Sequence, residues 1–432
     1  MESDKSTMQG TINTRAGDGR RNSEEEQETQ SFLVLFTRAR KLTAMASFAE
    51  NWRDLSGKND WEGLLDPLDS NLRRAIIHYG ERAGAAVFVV KEPKSKNYRL
   101  PQYAKGHLFA KVGLESGNPY KYMVKKYFYA THLKLSPKKS NFLGFVAVTT
   151  DEGTKVLGRR DVLISWRGTT LVHEWLVDAN INLVSASHIL GVENDPKVHQ
   201  GWLSYYTDMD PESSHNQLTS SRDQALAALK EVLDEYKGEE ISITVTGHSM
   251  GAALAILNAS DIVHNGYNKM TDQPNKVIPV TAIVFACPRL GNQGFKIVLS
   301  GLENLHVLRV TNDQDIVPKA LESVDYVHVG KELRIDTLKS PFLKVIPDTN
   351  VTEKLIHLHD LEAYLHGVAG TQGIKSSDFK LEVDRDLALV NKFIDGVKDE
   401  HNIVAQWWTE KNKSMIQMDD GSWVLDDHEE DE

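Results

Sequence analysis

The sequence of 432 residues holds a single cysteine, Cys287. One thiol excludes an internal disulfide and any zinc site built on two or more cysteines. Cys287 follows an apolar run and is expected to be a small packed residue. Long apolar runs are missing as well. The longest early one, Ser31 to Phe36, falls far short of the ~20 residues that cross a bilayer, so no transmembrane segment is expected. Basic charge is in deficit, with 50 Lys and Arg against 61 Asp and Glu and a net charge of −11. A nucleic-acid groove needs clustered cations to displace counterions, so nucleic acid is not an expected partner. The first thirty residues carry seven acids against four basic residues. A secretory leader opens on a basic region and an apolar core, and transit peptides are poor in acids, so the expected location is cytoplasmic. No H-E-x-x-H appears, and His357 and His359 form the only tight pair of metal-type ligands. No metal and no cofactor are expected.

What is present is the composition of a globular protein, 40% apolar, 26% charged and 8% aromatic. Residues 1–44 are polar without sustained periodicity and read as a disordered extension. Residues 45–415 read as one domain, and residues 416–432 as an acidic tail with six acids in Asp426 to Glu432. Inside the domain, Phe145–Thr149 and Val162–Trp166 are strand-like, with a turn signal at Asp151-Glu-Gly153 between them. Ala225 to Tyr236 sets Leu226, Leu229, Val232, Leu233 and Tyr236 on one helical face. Ile241–Thr246 is a β-branched strand, Ser249–Ser260 an Ala- and Leu-rich helix, and Val277–Ala286 and Leu305–Thr311 two more strands. This alternation predicts an α/β fold with a mostly parallel sheet and helices on both faces.

Gly247-His-Ser-Met-Gly251 matches G-x-S-x-G. A chain of this length gives on the order of 0.1 chance matches, so context decides. The motif lies directly between the strand 241–246 and the Ala-rich helix, the strand–turn–helix setting of a nucleophile elbow. The turn is tight enough that side chains beside the serine would clash. Ser249 Oγ would stand at a helix N-terminus, where the dipole favours developing negative charge.

A nucleophilic serine needs a base, and the base needs an acid. In the elbow-type order Ser, acid, His, the loop Asn312-Asp-Gln-Asp-Ile-Val-Pro318 offers Asp313 and Asp315. His328, His357, His359, His366, His401 and His428 follow. Spacing alone does not choose among them. His199 precedes the serine, breaks this order and reads as structural.

These motifs, together with Ser165-Trp-Arg-Gly-Thr169, Val198-His-Gln-Gly-Trp202, Pro288-Arg-Leu-Gly-Asn292 and His359-Asp-Leu-Glu-Ala-Tyr-Leu-His366, resemble the class 3 lipase family. The stretch Asn51-Trp-Arg-Asp-Leu-Ser-Gly57 and the Trp407-Trp408 pair resemble its plant phospholipase A1 group of the class II, cytosolic type. The resemblance runs over roughly residues 46 to 415 and implies an α/β-hydrolase fold with a short lid over the site. It implies Ser249 as nucleophile, Asp315 as acid and His359 as base, with His357 and His366 as competitors. It implies an oxyanion hole from the Met250 backbone N–H and from Thr169, the hydroxyl residue after Arg-Gly. The family's lid falls on Leu171, Val172, Trp175 and Leu176, which with Ala179 form one apolar helical face; a buried core face is the alternative. The implied activity is hydrolysis of the sn-1 acyl ester of glycerophospholipids through an acyl-enzyme. The implied partner is membrane or micellar lipid: phosphatidylcholine, galactolipids or triacylglycerol. A galactolipid or triacylglycerol lipase is the second enzymatic reading. A lipase-like signalling scaffold is the reading from another class, although little chain follows His359 for the large helical domain such scaffolds carry. Ala83 to Lys91 departs from the polar, aromatic stretch of the plant group and points to acyl-chain preference or lid packing.

Overall fold

The computed structural model describes residues 47–91, 94–131, 140–169, 181–270, 272, 275–322, 325–371, 378–408 and 415–425. The chain divides into two units at Ser47/Phe48, and the sheet, its helices and the site all belong to the second. The expected extension over 1–44 and the end of the acidic tail lie outside the described residues.

Seven strands build one sheet: β1 (Tyr122–Thr131), β2 (Ser140–Thr149), β3 (Arg160–Trp166), β4 (Ile241–His248), β5 (Val280–Phe285), β6 (Leu305–Asn312) and β7 (Lys331–Ile335). They lie across the sheet in chain order. β1, β2 and β3 pair antiparallel, and β3 through β7 pair parallel. This is the mostly parallel sheet of an α/β-hydrolase.

Strand alternation sorts side chains to two cores. Val162, Ile164, Val245 and Val284 join α2 (Ser221–Glu235) and α3 (Met250–His264) on one face. Leu163, Ile283, Phe285 and Leu308 join α1 (Ser70–Ala85) and α5 (Leu361–Ala369) on the other. Helices therefore cover both faces, as parallel pairing requires. Ser242, Thr244 and Thr246 alternate with the apolar residues of the central strand β4, and each finds an acceptor. Ser242 and Thr244 donate to Asp161 Oδ1 at 2.6 and 2.8 Å, and Thr246 donates to the Ile283 carbonyl at 2.7 Å. Buried hydroxyls so satisfied cost little.

Two local readings change. Asp151-Glu-Gly153, read as a turn, opens a helix over Asp151–Leu157, capped by Thr150 and closed by Gly158 at φ 72. Thr150 with two acids behind it is a helix-start signal that the glycine masks. The segment read as tail from residue 416 begins instead with a hairpin, Met415–Gln417 against Trp423–Leu425. Trp423 packs at a tilt against Trp407 at 4.6 Å and edge-on against Trp408 at 5.5 Å, so aromatic packing extends order to Leu425.

Candidate active site

The site forms at the carboxyl end of the parallel strands. Register pairs Trp166 with Gly247, and His248 with Phe285, so the ends of β3, β4 and β5 sit level. Between β4 and α3 the chain turns at Ser249, held at φ 60, ψ −126, a left-handed conformation that a residue with a Cβ adopts only under strain. The Ser249 N–H donates to the Phe285 carbonyl at 3.0 Å, fixing the turn to β5.

The two motif glycines are steric necessities. A Cβ at Gly247 would stand 2.3 Å from the Gly251 carbonyl oxygen, and one at Gly251 would stand 2.2 Å from the Trp166 carbonyl oxygen. The second approach brings α3 against the end of β3. A Cβ at Gly168, just past that end, would stand 2.6 Å from the His248 carbonyl oxygen and 3.5 Å from the Ser249 Cβ, so the chain just before Thr169 runs close to the serine turn. Met250, the first residue of α3, is buried, and its N–H is among the first-turn donors without an intrahelical acceptor.

Of the two acids offered by the sequence, Asp313 faces outward and pairs with Arg334, whose Nε lies 2.9 Å from its Oδ1. Asp315 is 1% exposed, and its Oδ2 accepts from His359 Nδ1 at 2.7 Å. The structure thus brings Asp315 and His359 together and leaves the competing histidines elsewhere. His357 Nε2 lies 3.9 Å from Glu353, and His366 Nε2 meets Ser340 Oγ at 2.7 Å. His199 caps the helix Gln200–Thr207 through Nδ1 and stacks on Trp202 at 4.1 Å, a structural role. Cys287 is buried, and burial pushes its thiol up to about 12. The lid residues Leu171, Val172, Trp175 and Leu176 lie outside the described residues.

His359 is the last residue of α4 (Val351–His359), and Asp360 caps α5 directly behind it. Asn312, at the end of β6, donates to the Leu358 carbonyl at 2.9 Å, which ties the histidine segment to the sheet. His248 Nε2 hydrogen-bonds the His359 carbonyl oxygen at 2.9 Å, so the residue before Ser249 holds the backbone of His359. Ser249 Oγ and His359 Nε2 are both buried, and among the described residues both lack a hydrogen-bond partner. With Nδ1 donating to Asp315, the neutral ring keeps Nε2 as its acceptor. Asp360 is pushed up to about 7, chiefly by burial and then by Glu362.

One functional residue escaped the sequence reading. The buried Tyr364 hydroxyl donates to Asp315 Oδ2 at 2.7 Å, and the Val317 N–H donates to Oδ1 at 2.9 Å. Asp315 therefore accepts three hydrogen bonds. The signal was present, since Tyr364 stands five residues beyond His359 in a motif already singled out. What this tyrosine reaches is fixed only by the packing of α5.

Residues 163–324 match the family model described as Lipase (class 3). Phospholipase A1-IIgamma of Arabidopsis thaliana is 47% identical over 410 residues, covering 90% of this chain and 96% of that protein. Phospholipase A1-II 1 of Oryza sativa subsp. indica is 46% identical over 411 residues, covering 90% and 99%. Among solved structures, a lipase from Rhizopus microsporus var. chinensis is 20% identical with a TM-score of 0.43, covering 62% of this chain and 76% of that one.

Proposed function

This chain belongs to the class 3 lipase family, and we propose that it is a serine acylhydrolase that releases the sn-1 acyl chain of glycerophospholipids. The observation that carries the reading is a pair of buried atoms without partners, Ser249 Oγ and His359 Nε2. They sit on segments tied by the His248–His359 bond, with His359 oriented by Asp315. Buried polar atoms are left unsatisfied at a cost, and a catalytic pair awaiting substrate is one reason for bearing it. The names of the relatives supply the phospholipid substrate class and the A1 position.

In this mechanism His359 Nε2 takes the Ser249 proton as Oγ attacks the ester carbonyl, and then gives that proton to the departing alcohol. Asp315 holds the imidazole tautomer and stabilises the imidazolium, and Tyr364 and the Val317 N–H hold Asp315. The Met250 N–H and Thr169 stabilise the tetrahedral oxyanion, assisted by the N-terminal end of α3. A water deprotonated by His359 then attacks the acyl-enzyme carbonyl, the bond to Ser249 Oγ breaks, and the fatty acid leaves as His359 returns the proton to Oγ. We assign the substrate to membrane or micellar lipid and the location to the cytoplasm; among the described residues no helix is long and apolar enough to cross a membrane.

The test is hydrolysis of phosphatidylcholine labelled differently at its two acyl positions, run with wild type and Ser249→Ala. Release from sn-1 by wild type, lost by roughly 10^4-fold or more in the variant, is the expected result. Galactolipid and triacylglycerol are ranked beside it. A wild type that releases nothing from any lipid or from a soluble short-chain ester would overturn catalysis and favour the scaffold reading.

A further inference from the structure

His248 stands between the nucleophile and the base and takes no part in the proton transfer described above. It is the last residue of β4 and pairs with Phe285 of β5, so the sheet fixes its backbone one residue before Ser249. Its side chain meets His359 twice. Nε2 lies 2.9 Å from the His359 carbonyl oxygen, and the two imidazole rings stand 4.6 Å apart between centroids, tilted by 44°. The Tyr364 ring borders His248 edge-on at 6.3 Å. The contacts close a circuit. Ser249 joins His248 through the chain, His248 holds His359, His359 and Tyr364 both donate to Asp315, and Tyr364 returns to His248.

The hydrogen bond fixes the state of the His248 ring. A carbonyl oxygen only accepts, so Nε2 carries the hydrogen and donates. Desolvation holds the imidazole well below its usual 6.5, His359 beside it adds to the fall, and the bond to the His359 carbonyl opposes it. The ring is therefore neutral near pH 7. That matters because its neighbour becomes an imidazolium during the reaction. A second imidazolium at this distance would repel that charge, whereas the face of a neutral aromatic ring attracts a cation. The carbonyl that His248 holds matters too. His359 ends α4, and the last carbonyls of a helix have no intrahelical donor. His248 supplies one from the sheet, so the helix end that carries the base is pinned to the strand end that carries the nucleophile. A leucine or valine would fill similar space with neither the donor nor the flat ring.

We propose that His248 is a positioning residue of this acylhydrolase: its N–H registers the backbone of His359 against Ser249, and its neutral ring stabilises the imidazolium that His359 becomes. This rests on the acylhydrolase reading above and deepens it by giving the residue before the nucleophile a part in the reaction. His248 touches no substrate atom and keeps its own proton. The transferred proton passes only from Ser249 Oγ to His359 Nε2 and on to the leaving alcohol.

The test separates the two contacts. His248→Gln keeps an amide donor and loses the ring, His248→Phe keeps a ring and loses the donor, and His248→Ala loses both. Each variant, once urea denaturation shows it folded, is assayed on p-nitrophenyl butyrate for kcat, KM and the pH profile of kcat/KM. His248→Ala should lose about 100-fold in kcat with KM little changed, the effect of a base displaced by about 1 Å. His248→Gln and His248→Phe should each recover about 10-fold of that loss. The apparent pKa of the base should fall by about half a pH unit in the Gln and Ala variants and hold its wild-type value in the Phe variant. If His248→Ala does not fold, the Gln and Phe variants carry the comparison through their opposite pH profiles. An unchanged kcat in every variant, or an equal loss in all of them with an unmoved pH profile, would reduce His248 to packing and overturn the proposal. Should wild type cleave no ester, the hydrolase reading fails separately. NMR titration of isotope-labelled histidine then reads the ring contact directly: a lower His359 pKa in His248→Gln than in wild type supports it, and an unmoved one overturns it.

Discussion

Replacing Ser249 by glycine should stabilise the protein while abolishing catalysis, and the gain should exceed that from alanine. Two separate costs are stored at this residue. Its hydroxyl is buried without a partner, so deleting it in Ser249→Ala removes an unsatisfied polar group, a gain of about 1 kcal/mol. Alanine keeps the Cβ and therefore the strain of φ 60, ψ −126. Glycine relieves that strain, roughly 1–3 kcal/mol, and gives back about 0.4–1 kcal/mol through the greater freedom of the unfolded chain. The net expectation is glycine about 1 kcal/mol above alanine, and alanine about 1 kcal/mol above serine. A unit of several hundred residues shifts in Tm by only about 1 °C per kcal/mol. Urea denaturation, with a common m-value for the three proteins, is therefore the sharper assay. A glycine variant no more stable than the alanine variant would refute the strain argument, and an alanine variant less stable than wild type would refute the orphaned hydroxyl.

Tyr364→Phe removes one of two donors to Asp315 Oδ2; kcat on a soluble ester should fall by about 10-fold with KM little changed, as for a group that positions the acid rather than binds substrate. Gly251→Ala drives a methyl group to 2.2 Å from the Trp166 carbonyl oxygen and 2.8 Å from the Arg167 carbonyl carbon. The sheet fixes both, so urea denaturation should register a loss of about 3 kcal/mol or more, or no folded protein. Burial holds His199 at about 4 and His366 at about 3, below the usual 6.5. The unfolded chain then binds more protons below pH 6.5, and stability present above that pH is lost as the pH falls. Each residue should contribute a slope of about 1.4 kcal/mol per pH unit down to its folded value, and His366→Gln should flatten the urea midpoint against pH between 6.5 and 4.

The parts of this molecule legible in the sequence are those specified by near neighbours. Gly247 and Gly251 are required by a strand–turn–helix a few residues long, so Ser249 could be read together with its surroundings. The β-branched run of β4 and the Ala-rich α3 follow from the same short window. The acid and the base could not be read that way. Asp313 and Asp315 have the same chemistry two residues apart, and what separates them is which side of a tight loop faces the sheet. One reaches Arg334 on the surface and the other reaches His359, 44 residues along the chain. Spacing left that choice open, and only the family resemblance made it. The helix at 151–157 was missed because a glycine outweighed its capping threonine, and the 415–425 hairpin because surrounding acids outweighed one tryptophan.

Tyr364 illustrates a further limit. It stood inside a motif already singled out, yet its place in the site did not show, because a phenol is defined by what it reaches. Tyr364 reaches Asp315 only once α5 packs against the acid loop. A motif therefore locates chemistry through residues whose requirement is steric and local, while electrostatic roles arise from tertiary closure. In this fold the steric requirement recurs at Gly168, where a Cβ would stand 2.6 Å from the His248 carbonyl oxygen and 3.5 Å from the Ser249 Cβ. Gly168→Ala should therefore impair the glyceride and phospholipid reactions together. Parallel kcat/KM measurements on a short-chain phosphatidylcholine and a short-chain diacylglycerol check this; a Gly168→Ala variant that lost only the phospholipid reaction would contradict this steric role.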